Sequence, residues 1–252
     1  MSKCTPSPTL SRNDEKLIRS LSLKKFRDAE NLFIIEGEKS VDEALASPLE
    51  VIRHYRASDI GAEAMKRISQ LSTPSHALAI IRKPAAIFPP SAPFPPRGVS
   101  LALDSVRDPG NLGTIIRLCD WFGIENIFAS PDTVDAYNPK TVQASMGAIL
   151  RKQIIYTDLC SLTDRFTEAG IPVYGTFLGG DNIYDGDIDR KKCLIIMGSE
   201  SFGISQKLAS KVTKRLYIPP YPNGIPTSES LNVAIATAIL CYEIRRPCKI
   251  IR

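Results

Sequence analysis

Asn111 and Arg117 stand six residues apart in LALDSVRDPGNLGTIIRLCDWFG (101–123). An amide beside free helix-terminal N–H groups and a guanidinium nearly two turns further on suit chemistry that relies on positioning and electrostatics. A short apolar run, 101–103, reaches Asp104; a loop of Asp, Pro, Gly and Asn then opens a segment with helical spacing at Leu112, Ile115, Ile116, Cys119 and Phe122. The order is strand, loop, helix. Asn111 is expected to N-cap this helix and Gly123 to take the left-handed position after its end. Read in isolation, Asn111 is a cap and Arg117 a side chain snorkelling to solvent.

Two further loops give the pair company. DPGNLG (108–113), GSESFG (198–203) and PPYPNGIPTSESLN (219–232) each follow a strand-like run. In parallel α/β sheets ligands bind beyond the carboxyl ends of strands, where such loops lie. Ser230 is the expected N-cap of the last helix. Both histidines, His54 and His76, come before residue 84, and the chain has no GxSxG, no GxxxxGK[ST] and no GxGxxG after the strand at 101–103. Hydrolase, P-loop and ordinary dinucleotide-binding readings weaken accordingly. The six cysteines form no CxxC pair and have no histidine nearby, so no metal site is expected and free thiols in a reducing, cytoplasmic compartment are. No apolar run approaches the roughly 20 residues of a membrane span and the N-terminus has no signal-peptide core, so no membrane partner is expected.

The elements that must position these residues follow from periodicity. Of 252 residues 43% are hydrophobic, ample for a core. Residues 1–83 read as a small α/β domain, 84–98 as a linker with six prolines, and 99–252 as a larger domain of buried strands alternating with helices, hence a parallel sheet. A helix is expected over 139–150 and a strand over 171–178. Residues 1–98 carry a net charge of +4 and the remainder +1. The densest basic stretch, KLIRSLSLKKFR (16–27), makes Lys24, Lys25 and Arg27 candidates for phosphate contact with a polyanionic partner, the alternative being a solvated helix face. The last helix, 230–245, is apolar nearly all round, which predicts burial on both sides and a partner subunit as the second cover.

NLGTIIR (Asn111, Gly113, Arg117), GSESFG (Gly198, Glu200, Gly203) and IP…SESLNVAIATAILCYE (Ile218, Pro219, Ser230, Leu231, Asn232) closely resemble, in order, the three signature motifs of the SpoU (TrmH-like) RNA methyltransferases of the SPOUT superfamily. KKFRDAENLFIIEGEKSVDEAL resembles that family's ribosomal-protein-like substrate-binding domain. The resemblance implies a parallel-sheet SPOUT domain whose C-terminal segment forms a deep trefoil knot, a rare exception to the no-knot rule. It further implies a homodimer, S-adenosylmethionine as cofactor, and methyl transfer to a ribose 2′-hydroxyl of tRNA or rRNA. Carried over by position, Gly198, Ile218, Leu231 and Thr176 hold the cofactor. Arg117 is the base or the group that orients the ribose and stabilises charge; Asn111, Ser230 and Asn232 place it and the substrate, and Glu200 braces the loops. A non-catalytic RNA-binding protein and a base methyltransferase are the alternatives. The family's usual Ile-Pro-Met is here Ile218-Pro219-Pro220, which begins a longer YPNGIPTSE segment with two further prolines, and proline removes backbone donors.

Overall fold

The computed structural model describes residues 9–85, 94, 96–185, 188–222 and 228–246; most of the proline-rich segment 84–98 and residues 223–227 of the atypical loop lie outside them. The chain divides into two compact units. One is built from the described residues of 1–85 together with Asp135–Arg151, the other from those of 86–134 and 152–252.

The first unit runs α1 (Arg12–Ser20), α2 (Lys24–Glu30), β1 (Leu32–Glu36), α3 (Glu38–Ala46), β2 (Val51–Arg56), α4 (Ala57–Ile60), α5 (Ala62–Ile68) and β3 (Ala77–Arg82). Ser11 caps α1, its hydroxyl accepting the Asp14 N–H at 3.1 Å. The basic run 16–27 is not one helix. It breaks between α1 and α2, where buried Leu21 turns into the core. β3 pairs antiparallel with β1 and β2 on its two sides, with Ile34 opposite Ile80. Ile18, Leu21, Ile34, Met65, Ile68, Leu78 and Ile80 form one core, each fully buried aliphatic side chain contributing roughly 1.5–3 kcal/mol.

The second unit begins with β4 (Ser100–Leu103), α6 (Pro109–Trp121) and β5 (Asn126–Ala129). The chain then contributes α7 (Pro139–Ala144) and a 3-10 turn, Ala148–Leu150, to the first unit. Sequence periodicity predicts a single helix over 139–150 within the C-terminal domain, and the structure differs on both counts. Met146 (φ 50°) and Gly147 (φ 84°) take left-handed backbone and end the helix. The segment is held to the first unit by the Tyr137 ring, 4.7 Å from that of Phe33, and by Asp135, paired with Arg27.

The remaining elements are β6 (Ile154–Tyr156), α8 (Leu159–Glu168), β7 (Val173–Asn182), β8 (Leu194–Met197), α9 (Gln206–Ala209), β9 (Lys214–Tyr217) and α10 (Val233–Arg245). The six strands lie in the order β6-β5-β4-β8-β7-β9, every pair parallel, as alternation of buried strands and helices predicts. β7 runs past the expected end at residue 178. Thr176 and Asp181 both face Leu216, so residues 177–180 bulge out of the register before the strand resumes. Ala102, Phe128, Phe166, Val173, Leu194 and Ile196 form the core between the sheet and α8.

α10 packs on α6. Its expected burial on all sides is not met within one chain: Ile235 is 53% and Tyr242 59% exposed, while Val233, Leu240, Cys241 and Ile244 are buried. Cys119, Cys193 and Cys241 are buried, Cys160 partly so, and all four are free; Cys4 and Cys248 lie outside the described residues. Among the described residues no helix is long and apolar enough to cross a membrane.

Candidate active site

The carboxyl ends of the parallel strands carry the loops singled out by sequence. After β4, Asp108 caps α6: its Oδ1 accepts the Asn111 N–H at 2.8 Å, and Pro109 takes the first helical turn, where a missing N–H costs nothing. Asn111 is therefore not the cap, contrary to expectation. A capping side chain must precede the first turn, and Asp108 does so, leaving the Asn111 amide free to reach across. Gly123, φ 63°, does take the left-handed position after the helix.

GSESFG follows β8 as a closed hairpin. Ser199 and Gly203 exchange both backbone hydrogen bonds, at 3.0 and 2.9 Å. A Cβ on Gly198 would sit 2.1 Å from the Gly203 carbonyl carbon and 2.2 Å from the Ile204 nitrogen, so this close crossing of main chain demands glycine. Buried Asp104, at the end of β4, secures the hairpin's exit by accepting the Ser205 N–H on Oδ2 at 2.7 Å. This brace was not assigned from sequence; the signal was an Asp directly after a fully buried apolar strand.

Asn232, not Ser230, caps α10, its Oδ1 accepting the N–H groups of Ala234 and Ile235 at 3.0 and 3.3 Å. That fixes which face of its amide is the donor. Asn232 Nδ2 donates to Asn111 Oδ1 at 3.0 Å and to Glu200 Oε1 at 2.7 Å, and Asn111 Nδ2 donates to the same Glu200 oxygen at 2.6 Å. One carboxylate oxygen thus gathers two amides, and the three loops meet through charge-assisted bonds.

Arg117 lies on the exposed face of α6 and has no hydrogen-bond or ion-pair partner among the described residues. It borders a groove of about 700 Å³ between α6 and α10, with Thr114, Trp121, Tyr184 and Tyr242. Ser230 is exposed and makes no hydrogen bond to the Asn111–Glu200–Asn232 cluster.

Gly198 and Ile218 directly follow the carboxyl ends of β8 and β9, and Thr176 lies within β7, between them in the sheet, at the last residue before its bulge. The Thr176 hydroxyl donates to the Ile196 carbonyl at 3.2 Å, and Leu231 presents an apolar side chain that is 45% exposed. These residues fit S-adenosylmethionine: half-buried and exposed apolar side chains suit a flat purine, and strand-end main chain suits its polar groups.

In the first unit, Lys24 and Lys25 are exposed, Lys24 pairing with Asp28 at 2.5 Å and Lys25 lying 4.8 Å from the Phe26 ring centre. Arg27 corrects the sequence expectation. It is only 2% exposed, and its guanidinium donates to Asp135 Oδ2 at 2.7 and 3.0 Å and to the carbonyls of Leu21 and Ser22 at 2.8 Å. With its donors directed inward it has no face for a phosphate.

A six-stranded parallel sheet whose loops meet beyond the carboxyl ends of β4, β8 and β9, together with a small antiparallel-sheet unit, defines a two-unit α/β class of protein. Residues 98–242 match the SpoU rRNA Methylase family and residues 13–57 the MRM3-like substrate binding domain. The chain is 31% identical to the 23S rRNA (guanosine(2553)-2′-O)-methyltransferase RlmP of Bacillus subtilis, over 90% of this chain and 94% of that one. Its structure resembles a TrmH-family protein from Porphyromonas gingivalis (TM-score 0.83, 38% identity, 94% of this chain and 98% of that one). It is similarly close to an AdoMet-bound rRNA methyltransferase from Sinorhizobium meliloti (TM-score 0.83, 29% identity, 97% and 98% covered). The chain belongs to the SpoU family of S-adenosylmethionine-dependent RNA methyltransferases.

Proposed function

We propose that this protein methylates a ribose 2′-hydroxyl of ribosomal RNA. The observation that carries the reading is the Asn111–Glu200–Asn232 cluster, which ties the three loops together on the helix that also bears Arg117. S-adenosylmethionine supplies an electrophilic methyl group. A ribose hydroxyl is a poor nucleophile near neutral pH, so the protein's task is to orient it and stabilise the charge that develops as its proton leaves. Guanidinium groups stay protonated in proteins. Arg117 accordingly orients the hydroxyl and offsets the developing oxyanion, and Ser230, close in sequence to Asn232, assists in placing the ribose. Gly198, Ile218, Leu231 and Thr176 hold the cofactor.

Several features accompany this reading. The C-terminal segment is read as threading a trefoil knot, supported by the main-chain crossing at Gly198 and by the contact of Asn232 with Asn111 and Glu200. The protein works as a homodimer through α10 and the adjoining face of α6, supported by the apolar side chains of Trp121, Ile235 and Tyr242 left exposed there. The first unit, with Lys24 and Lys25 on its surface, binds RNA by shape and phosphate contact.

The test is transfer of labelled methyl from S-adenosylmethionine to unmodified rRNA and tRNA transcripts, followed by nucleoside analysis. Label in a 2′-O-methylnucleoside of rRNA, abolished by Arg117→Ala with RNA binding retained, is the expected result. A methylated base on an unmethylated ribose overturns the ribose reading, and label confined to tRNA overturns the substrate class.

A further inference from the structure

Phe202 is 83% exposed at the tip of the GSESFG hairpin. A single exposed apolar side chain is ordinary on a protein surface. What sets this one apart is the rigidity and address of its support. The hairpin is closed by the paired Ser199–Gly203 hydrogen bonds, and the Phe202 N–H itself donates to Ser199 Oγ at 3.2 Å. Gly198 at its base packs closely against the main chain of Gly203 and Ile204, and Asp104 bonds its exit. Two residues before Phe202 in the same hairpin, Glu200 bonds Asn111 and Asn232. The ring is thus displayed on main chain locked to the catalytic cluster, with its own faces uncovered.

We propose that Phe202 is the stacking platform for an unpaired RNA base beside the target ribose, a role that rests on the methyl-transfer reading above. A ribose whose hydroxyl must meet a methyl donor in a protein pocket has to leave regular helix geometry, and the bases of such nucleotides are held by stacking on aromatic side chains. Stacking needs a π-face, tolerates any base, and requires the ring to be pre-placed relative to the reacting group. A hairpin anchored through Glu200 meets the last requirement.

The full-length protein is assayed with unmodified large-subunit rRNA transcript as Phe202→Ala, Phe202→Leu and Phe202→Trp, reading KM and kcat for methyl transfer, RNA Kd, S-adenosylmethionine Kd, and sedimentation. Phe202→Ala and Phe202→Leu are expected to raise RNA KM and Kd roughly 5- to 150-fold, the range set by one stacked base. Phe202→Trp restores wild-type values, and cofactor affinity and sedimentation stay unchanged in all three. A Leu variant equal to wild type overturns stacking. A shift in sedimentation or cofactor affinity overturns it in favour of a subunit or loop contact. Wild-type protein run in parallel separates the two levels: absence of wild-type transfer refutes the methyl-transfer reading, whereas wild-type transfer with unchanged RNA KM and Kd in Phe202→Ala refutes only the platform.

Discussion

Replacing Arg27 with Ala decides between an electrostatic and an architectural role for an arginine that the structure withdraws from solvent. The guanidinium makes four hydrogen bonds, two to Asp135 and one each to the Leu21 and Ser22 carbonyls, with side-chain exposures of 2% for Arg27 and 10% for Asp135. Its removal strands a carboxylate and two carbonyls in the interior. Breaking one side of such a buried pair costs about 3–5 kcal/mol, a large fraction of the roughly 5–15 kcal/mol that holds a domain together. With a urea dependence of about 1–3 kcal/mol per M, the midpoint followed by circular dichroism falls by at least about 1 M. Arg27→Lys keeps the charge but not the planar fork, and gives an intermediate loss. A phosphate contact would behave otherwise. Its loss leaves stability intact and lowers the slope of log K for RNA against log salt concentration by about 0.7–0.9. An unchanged urea midpoint together with that reduced slope in Arg27→Ala would refute the architectural reading.

Four other outcomes are expected. Gly198→Ala, whose Cβ would lie 2.1 Å from Gly203 main chain, forces the hairpin apart; overpacking of this kind costs about 1–3 kcal/mol, and calorimetry should show S-adenosylmethionine binding lost or weakened. Glu200→Gln retains shape but converts two charge-assisted bonds to neutral ones, and methyl transfer should fall about tenfold at unchanged melting temperature. Charge reversal of both Lys24 and Lys25 should reduce the salt slope of RNA binding by about 1–2 without altering the urea midpoint, in contrast to Arg27. Burial pushes the Cys193 and Cys241 thiols up to about 12 from 9.0. The native protein should therefore resist iodoacetamide at these two positions at pH 8. Because the unfolded thiols ionise first, stability should decline as pH rises from about 9 towards 12, as read by melting temperature.

How far sequence reached depended on whether a residue's partner was local. The central strands β4, β5 and β8 were legible because each is a short, almost wholly buried apolar run, and the parallel sheet followed from their alternation with helices. Asn111, Glu200 and Asn232 were identified through the motifs, but their shared contact was not, because it spans 121 residues between Asn111 and Asn232 and no local pattern encodes such a meeting. Caps were misplaced by the same ambiguity twice. Several residues near each helix start can accept an N–H, and only backbone geometry shows that Asp108 and Asn232 precede the first turn. Arg27 was misread because a basic run does not reveal which member faces a carboxylate in residue 135. Gly147 was a visible signal for the break, passed over inside an otherwise helical pattern, whereas left-handed backbone at Met146 has no propensity signal.

The assignment of Asp135–Arg151 to the N-terminal unit has a consequence for how such proteins can be taken apart or recombined. The polypeptide passes from one unit to the other three times, so the substrate-binding unit is not a cassette joined by a single tether. Trimming the chain to 99–252 would leave Tyr137 without Phe33 and Asp135 without Arg27, an orphaned insert in the middle of the catalytic sequence. Replacing the substrate-binding unit of this chain must therefore carry two pieces of coding sequence in register, so a change of substrate choice reaches into the middle of the catalytic sequence.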